Sequence, residues 1–378
     1  MLHTWTELTN KLISAAKEKR LPISGAFELT PRCNLKCKMC YVCQPVNDKQ
    51  TMANERSAEE WIRLAKEMRD AGVLFLLLTG GEVFLREDFK EIYEQISEMG
   101  FIIQIYTNAT MITPEIAKWL GKRPPSKVSV TLYGSTPEMY EKVCGFADGY
   151  ERTVRGIDLL IAEGIVVEVK TTVVRGNKDE FNRIAAFAEK RNIKFGVVNY
   201  ISPRREGCCS DPEGERLSPE ELAEYEMSIT EYNKRKHGEI TLDPATYDNL
   251  DDYEQSGKSN GELLAPSSEK EDPFRCSAGK CGFWISWNGR MLACGIMNKP
   301  ETYPLQTGFL QAWEGLKKLC SVIPNCDPCS ECSVKEYCSR CPARLLTETG
   351  CYDKPAPYLC ETAHKRMEVV TRKNIINL

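Results

Sequence analysis

The sequence predicts an α/β fold in which a partial (β/α)6 TIM-like barrel is followed by a small cysteine-rich domain. Between residues 25 and 200, six short apolar or β-branched runs alternate with amphipathic helical stretches. This alternation favours parallel strands joined by right-handed helical crossovers, and six strands are too few to close an eight-stranded barrel. Beyond residue 275 cysteines become dense, which predicts a second unit that binds metal.

The elements follow one another in a regular order. The first 20 residues predict a lone helix, with Leu8 and Leu12 in its apolar stripe. The predicted strands are 25–30, 73–79, 101–107, 127–133, 165–174 and 193–200. The predicted helices are 57–71, 87–99, 113–121, 136–162 and 178–191, with N-caps at Ser57, Asp88, Thr113 and Thr136. We therefore divide the chain into a lead-in helix (1–20), a barrel (21–201), a bridging helix and loop (202–275) and a C-terminal domain (276–378).

The bridging segment differs from the barrel in composition. Ser218-Pro219 begins a helix that is predicted to reach about Lys236, because proline is favoured at the first helical position. Residues 243–272 are polar and acidic, which predicts a long loop, either a lid or plain surface. Cys208 and Cys209 are either a redox-active pair or ordinary thiols, and we favour ordinary thiols, since nothing nearby depresses their pKa in an obvious way.

Composition excludes several classes of protein. The chain has 18 cysteines in 378 residues, yet its N-terminus lacks a basic region followed by an apolar stretch, so we expect a cytoplasmic protein whose reduced thiols bind metal. The net charge is −4 with interleaved signs, which disfavours nucleic acid as a partner. The longest apolar run, 73–78, is far shorter than the roughly 20 residues that span a bilayer, so no membrane association is expected.

Three cysteines directly after the first strand point to catalysis. Cys33, Cys37 and Cys40 have the spacing C-x3-C-x2-C in a short loop. Three thiolates can hold three irons of a [4Fe-4S] cluster, which leaves the fourth iron without a protein ligand and open to chemistry. The alternatives are a structural zinc site, with Cys43 as the fourth ligand, or a buried trio of thiols.

This motif resembles the signature of the radical S-adenosylmethionine (SAM) superfamily, whose members bind SAM at the open iron. Gly80-Gly81-Glu82, after the second strand, resembles the family's Gly-Gly-Glu-Pro element, which implies that it binds the SAM amino group. Val83 replaces the proline of that element. Met39 replaces an aromatic residue that often lies against the adenine in the family, and a flexible thioether can cover the same apolar face.

Three more strand ends are expected to complete the SAM pocket. Asn108 belongs to a Thr-Asn element like that of the family, and Thr131 and Thr172 are our candidates for ribose or carboxylate contacts. The alternative for the threonines is that hydroxyls at strand ends simply satisfy backbone groups.

The C-terminal cysteines resemble the SPASM extension of radical SAM maturases. Cys276-x12-Gly289-x4-Cys294 fits its first part, and Asn288-Gly289 is a hairpin signal that folds Cys294 back toward Cys276 and Cys281. Cys329-x2-Cys332-x5-Cys338-x2-Cys341 fits the second part except for one residue fewer before Cys341, and Cys360 closes the set. The resemblance implies two auxiliary [4Fe-4S] clusters, one held by Cys276, Cys281, Cys294 and Cys341, the other by Cys329, Cys332, Cys338 and Cys360. Cys326 could replace Cys329, and zinc ribbons are the alternative for such pairs.

The resemblance implies an enzyme with SAM and three [4Fe-4S] clusters. It would cleave SAM reductively to a 5′-deoxyadenosyl radical, which takes hydrogen from a peptide side chain or backbone. The product would be a thioether or carbon–carbon cross-link, or an oxidised residue, in a ribosomal peptide precursor. Sulfatase maturation is disfavoured, because Gly295 stands where such relatives have aspartate.

Partners and alternatives follow from the same resemblance. We expect an electron donor such as flavodoxin or ferredoxin, and a separate leader-binding protein, because about 20 residues before the first strand leave no room for such a domain. One alternative is a small-molecule radical SAM dehydrogenase or epimerase that acts on a sugar or cyclitol. Another is a metal-binding module without enzymatic activity.

Overall fold

The computed structural model describes residues 5–205, 211–237 and 273–376. The α-helices are α1 (Trp5–Lys19), α2 (Lys49–Asn54), α3 (Ala58–Asp70), α4 (Phe89–Ser97), α5 (Pro114–Lys122), α6 (Pro137–Cys144), α7 (Gly149–Ala162), α8 (Phe181–Lys190), α9 (Pro212–Glu215), α10 (Pro219–His237), α11 (Pro304–Thr307), α12 (Phe309–Ser321), α13 (Asp327–Ser330), α14 (Pro342–Thr349) and α15 (Pro357–Ile376). The strands are β1 (Ser24–Glu28), β2 (Arg32–Cys33), β3 (Gln44–Pro45), β4 (Phe75–Thr79), β5 (Ile102–Thr107), β6 (Lys127–Thr131), β7 (Val167–Thr172), β8 (Lys194–Val198), β9 (Gly282–Ile285), β10 (Met291–Leu292) and β11 (Glu301–Thr302).

One large sheet organises the molecule. Its nine strands have the order β11-β10-β9-β1-β4-β5-β6-β7-β8, and the six from β1 to β8 in this list are parallel neighbours. The predicted α/β fold with six parallel barrel strands is therefore confirmed. The C-terminal hairpin extends the same sheet, because β9 pairs with β1 in parallel while β10 and β11 are antiparallel.

The two faces of the barrel strands differ in chemistry. On the outer face, residues such as Leu78, Ile105, Val130 and Val169 are fully buried in the core that the helices cover. On the inner face, strand register places Tyr106 beside Ser129 and Ser129 beside Glu168. Alternation of side chains along a strand explains this division, with the apolar set under the helices and the polar set in the barrel interior.

Most predicted elements are found, with one clear error in a helix. The lead-in helix, the six strands and the helix after Ser218 are present, and Ser57, Thr113 and Thr136 cap their helices through side-chain hydrogen bonds. Asp88 occupies the N-cap position of α4 but makes no such bond. The single helix predicted over 136–162 is wrong, because α6 ends at Gly145 in the left-handed conformation (φ 63°) and α7 begins at Gly149.

The bridging segment is tied to the C-terminal helices by two buried ion pairs. Arg216 contacts Glu348 at 2.7 Å, and Arg366 contacts Glu226 at 2.6 Å. The predicted loop over 243–272 and the pair Cys208-Cys209 lie outside the described residues. No helix in the parts of the chain that the structure describes is long and apolar enough to cross a membrane.

Candidate active site

The three cysteines of the predicted cluster motif lie in the loop between β1 and α2. The short strands β2 and β3 pair in parallel and so bring the two ends of this loop together. The Arg32 guanidinium donates to Glu55 through Nε at 2.8 Å and Nη2 at 3.0 Å, and through Nη1 to the Val46 carbonyl at 3.1 Å. Because a bidentate pair of this kind fixes geometry, the loop is held independently of any bound metal.

Cys33, Cys37 and Cys40 share this partly enclosed loop. Cys37 is buried, whereas Cys33 and Cys40 are half-buried. The Cys33 sulfur is 3.7 Å from the amide nitrogen of the Asn108 side chain and accepts the Leu35 N–H at 3.4 Å. The structure therefore brings Cys33 to the end of β5, where Asn108, another predicted site residue, lies.

Two further thiols lie against the three predicted ligands. Hydrogen bonding with Cys144, together with burial, raises the pKa of Cys37, and hydrogen bonding with Cys43, together with burial, raises the pKa of Cys40. Hydrogen bonding with Cys33 raises the pKa of Cys43 in turn. Such thiols stay protonated until a soft metal displaces the proton, so the donor set fits an iron–sulfur cluster. Cys144 is not among the predicted site residues, because no spacing in the sequence relates the end of α6 to the motif.

Two glycines let the end of β4 approach the cysteine loop. A Cβ atom at Gly80 would lie 2.3 Å from the Thr30 carbonyl oxygen, and one at Gly81 would lie 2.3 Å from the Arg32 carbonyl oxygen. Because neither glycine has a Cβ atom, the Gly81 N–H can donate to the Thr30 carbonyl at 2.7 Å. The Glu82 N–H donates to the Arg32 carbonyl at 2.9 Å. Glycine is required here because backbone meets backbone.

Glu82 is fully buried between the β4 and β5 ends. Its carboxylate accepts hydrogen bonds from the Thr107 hydroxyl at 2.8 Å, the Asn108 N–H at 2.8 Å and the Phe84 N–H at 3.1 Å. Burial raises the pKa of Glu82 to about 6, although these three donors oppose the shift. A carboxylate held this way suits an ammonium partner, because a nearby positive charge would lower that pKa again.

The other predicted SAM contacts divide into two groups. Asn108 joins the cysteine loop, since its amide donates to Asn34 at 2.9 Å, and Met39 is buried in the core beside the motif. Thr131 and Thr172 lie at the ends of adjacent strands β6 and β7, farther round the barrel. Thr107, the threonine of the Thr-Asn element, contacts Glu82 but is not among the predicted site residues.

The first C-terminal group of thiols surrounds the β9–β10 hairpin. Burial raises the pKa of Cys294 to about 12, with smaller contributions from Cys276 and Cys341. Burial also raises the pKa of Cys281, again with a contribution from Cys276. A tight turn in which three N–H groups donate to the Ser277 carbonyl brings Cys281 back toward Cys276. Cys276 therefore acts on both Cys281 and Cys294, and Cys341 acts on Cys294.

The second C-terminal group contains five thiols, namely Cys326, Cys329, Cys332, Cys338 and Cys360. The sulfur atoms of Cys326 and Cys329 are 3.0 Å apart. Burial raises the pKa of Cys329 to about 12, and the hydrogen bond with Cys326 contributes to the same shift. Burial raises the pKa of Cys360, with further electrostatic contributions from the thiols of Cys338, Cys332 and Cys326. In residues 5–205, 211–237 and 273–376, no group of three or more His, Cys, Asp or Glu side chains is arranged to hold a single metal ion.

Comparison with known proteins identifies the barrel part of the chain. Residues 27–188, which include the cysteine loop, Glu82, Asn108, Thr131 and Thr172, match the model of the radical SAM superfamily. Residues 27–188 are thus a radical SAM domain. This domain confirms the predicted class, an enzyme that uses SAM and an iron–sulfur cluster.

Several known proteins align with most of this chain. The AdoMet-dependent heme synthase of Methanosarcina barkeri is 26% identical over 88% of this chain and 95% of its own length. The subtilosin biosynthesis protein AlbA of Bacillus subtilis is 27% identical over 80% of this chain and 61% of its own length. The crystal structure of SAM-bound SuiB from Streptococcus suis superposes with a TM-score of 0.68 at 17% identity, over 94% of this chain and 82% of SuiB. SuiB bound to its precursor peptide SuiA gives a TM-score of 0.67 at 18% identity, over 95% of this chain and 82% of that one.

Proposed function

We propose that this radical SAM enzyme modifies a ribosomal peptide precursor, forming a thioether or carbon–carbon cross-link or oxidising a residue. The observation that carries the proposal is the presence of two further thiol groups in a C-terminal domain whose hairpin extends the barrel sheet beside β1. This arrangement supports auxiliary clusters next to the SAM site. It is expected of an enzyme that must move an electron as well as a hydrogen atom during the modification.

The residues that would hold the cofactors follow from the thiol groups. Cys33, Cys37 and Cys40 would hold the SAM-binding cluster, which when reduced supplies the electron that breaks a carbon–sulfur bond of SAM. Cys276, Cys281, Cys294 and Cys341 would hold the first auxiliary [4Fe-4S] cluster. Cys329, Cys332, Cys338 and Cys360 would hold the second, with Cys326 as the alternative to Cys329.

The remaining site residues would bind and orient SAM. Glu82 would accept hydrogen bonds from the SAM ammonium while the Thr107 hydroxyl and Asn108 N–H hold its carboxylate in place. Gly80 and Gly81 would let the backbone approach the ligand, and Met39 would cover the adenine. Thr131 and Thr172 would contact the ribose or carboxylate. The covered barrel would keep water from the reacting groups.

The peptide substrate is supported by relatives. AlbA acts in the biosynthesis of a bacteriocin, other relatives are named PqqA peptide cyclase, and SuiB has been solved with a bound precursor peptide. We further propose a cytoplasmic enzyme with a flavodoxin or ferredoxin as electron donor. A separate leader-binding protein would deliver the peptide.

A second candidate is a small-molecule reaction on a tetrapyrrole. The observation that favours it is the match to heme synthases over nearly their whole length, together with a match to the Fe-coproporphyrin III synthase of Methanosarcina barkeri. This candidate takes the place of a sugar or cyclitol as the small-molecule alternative.

One experiment separates the candidates. Anaerobically reconstituted enzyme is given SAM and dithionite, and 5′-deoxyadenosine is measured with peptides encoded near its gene or with Fe-coproporphyrin III. We expect 5′-deoxyadenosine from the wild type and from the matched control Cys351→Ala, but none from Cys37→Ala. A peptide that loses the mass of two hydrogen atoms supports the first candidate. A changed porphyrin with unchanged peptides supports the second.

A further inference from the structure

A buried arginine on the C-terminal helix holds both neighbours of one thiol in the second C-terminal group. Arg366 lies on α15, and its Nη1 donates to the Tyr337 carbonyl at 3.0 Å and to the Ser339 hydroxyl at 3.3 Å. These two residues stand directly before and after Cys338. One guanidinium nitrogen therefore fixes the chain on each side of this thiol.

A glutamate orients the same guanidinium. Arg366 donates through Nε and Nη2 to the two carboxylate oxygens of Glu226, each at 2.6 Å, and the Asn199 amide donates to this carboxylate at 2.9 Å. The Arg366 side chain is 6% exposed and the Glu226 side chain is 3% exposed. Because a bidentate pair fixes the plane of the guanidinium, Nη1 is aimed at the Cys338 segment. Glu226 belongs to α10, so the positive partner of the pair is the one that contacts this segment.

A second arginine holds the same segment from the side of the first C-terminal group. Arg344 follows Cys341 by three residues on α14, and its Nη1 donates to the Ser339 carbonyl at 2.9 Å. Its guanidinium lies 4.0 Å from the centre of the Tyr200 ring. Cys338 and Cys341, one thiol from each C-terminal group, are thus joined by a short segment that two buried arginines fix.

The charge of Arg366 acts on the Cys338 sulfur. Burial raises the pKa of the Cys338 thiol, and the positive charge of Arg366 is among the groups that oppose this shift. A cation beside a thiol favours the thiolate, which is the form that binds iron. Charges and hydrogen bonds around the sulfur atoms also set the reduction potential of an iron–sulfur cluster. Reduction adds negative charge to a cluster, so a nearby cation favours the reduced form.

Another buried ion pair of the same kind differs in what it holds. Arg216 and Glu348 join the bridging segment to α14 at 2.7 Å, and each side chain is 7% exposed. The Arg216 Nε donates to the Ile201 carbonyl at 2.7 Å. Desolvation offsets much of the attraction in both pairs, so burial alone does not give either pair a stabilising role. The two pairs therefore allow an effect on Cys338 to be separated from the loss of a buried ion pair.

We propose that Arg366, oriented by Glu226, is a positioning residue for Cys338 and raises the reduction potential of the second auxiliary cluster. Its hydrogen bonds fix the segment that carries this ligand, and its charge favours uptake of one electron by the cluster. The inference rests on the proposed function, since it requires a cluster at Cys338. It deepens that function by assigning the residues that tune one of the two auxiliary clusters.

The test removes each ion pair as a unit. Arg366→Met/Glu226→Leu leaves no unpaired buried charge of this pair, and the matched control is Arg216→Met/Glu348→Leu. The anaerobically reconstituted full chain is titrated with dithionite and monitored by EPR spectroscopy. The signal of the second auxiliary cluster is identified as the one that Cys338→Ala removes.

We expect only the Arg366→Met/Glu226→Leu variant to shift the reduction potential of this signal. The potential should fall by about 59 mV, which corresponds to an about tenfold change in a one-electron equilibrium. This is the contribution expected of one charge-assisted hydrogen bond. Arg366→Lys should recover most of the shift, because it keeps a positive charge beside Glu226.

Thermal melting establishes that each variant is folded. Arg366→Gln/Glu226→Gln removes both charges but keeps hydrogen-bonding groups, and it replaces the apolar variant if that variant does not fold. An unchanged potential in the variant that lacks the Arg366–Glu226 pair, or an equal shift in the matched control, overturns the inference.

Failure of the proposed function gives a different result. If Cys338→Ala removes no cluster signal from the wild type, the second auxiliary cluster is contradicted, and the inference falls with it. If the signal is present and its potential does not respond to Arg366, the inference alone is overturned.

Discussion

Arg205 and Glu28 form a fully buried ion pair, with 2.6 Å between Nη2 and Oε1 and each side chain 1% exposed. The same carboxylate accepts from the Trp284 indole at 3.0 Å, and Arg205 donates to the Gly295 carbonyl at 2.9 Å. The pair therefore joins three parts of the molecule, namely the end of β1, the bridging segment and the hairpin that carries Cys294. It fixes the segment that carries Cys294 relative to the strand that precedes the cysteine loop.

Breaking this pair should destabilise the protein strongly. Arg205→Met leaves the Glu28 carboxylate buried without a counter-ion, which costs about 3–5 kcal/mol in the free energy of unfolding. The double variant Arg205→Met/Glu28→Leu should regain much of that loss, because neither charge remains. Urea unfolding, monitored by circular dichroism, measures the free energy of unfolding of the single and the double variant. The control is Arg123→Met, whose exposed pair with Glu98 should contribute at most about 1 kcal/mol; equal losses for Arg205→Met and the control would contradict this.

Glu82 should make stability depend on pH in the acidic range. Its pKa in the folded protein is about 6, above the ordinary value of 4.5, because burial disfavours the charged form. The stabilisation from the neutral acid is complete below about pH 4.5 and is lost as pH rises through 6, a change of about 2 kcal/mol. Glu82→Gln cannot ionise, so the difference in unfolding free energy between it and wild type should change over this range. Parallel pH profiles for the two proteins would refute the prediction.

The barrel could be predicted from the sequence because its signals are local. Runs such as 73–79 and 127–133 are apolar or β-branched and bounded by helical stretches, and β4 and β6 lie within them. The wrong prediction of a single helix over 136–162 also has a local cause. The amphipathic pattern predicts one helix that includes Gly145 and Gly149, whereas Gly145 adopts a left-handed conformation that ends α6.

The parts that could not be predicted depend on contacts between distant segments. The Asn288-Gly289 hairpin signal predicts β9 and β10, but nothing in it predicts that β9 pairs with β1. Cys144 likewise reaches Cys37 only through the packing of α6 against the cysteine loop, where the Lys36 and Lys38 N–H groups donate to the carbonyls of Cys144 and Val143. Contacts between segments that are far apart in the chain leave no characteristic residue spacing in the sequence.

Gly81 should not tolerate a methyl group. In Gly81→Ala the new Cβ would lie 2.3 Å from the Arg32 carbonyl oxygen, so the β4 end and the cysteine loop must separate. Overpacking of this kind costs about 1–3 kcal/mol, and we expect SAM affinity and iron content to fall with the thermal midpoint. Gly176→Ala is the matched control, since its Cβ would meet Val143 at 3.4 Å, an ordinary contact. SAM affinity is measured by equilibrium dialysis, and equal values for both variants would exclude the steric explanation.

Cys326 should be dispensable for iron binding although it lies among ligands. Its sulfur is 3.0 Å from that of Cys329, and five thiols gather where a [4Fe-4S] cluster needs four. The spacing Cys329-x2-Cys332-x5-Cys338 includes Cys329, so Cys326 is the extra member. We therefore expect Cys326→Ala to keep the iron content of wild type.

The matched variant for this prediction is Cys338→Ala, which removes a proposed ligand from the same group. It should lower the iron content by up to about four irons per chain, because the second auxiliary cluster is expected to use four thiolates. Iron analysis with Mössbauer spectroscopy on anaerobically purified protein measures both variants. If Cys326→Ala loses as much iron as Cys338→Ala while Cys329→Ala loses none, then Cys326 is the ligand and Cys329 the spare thiol, since the two sulfurs are close enough to exchange roles.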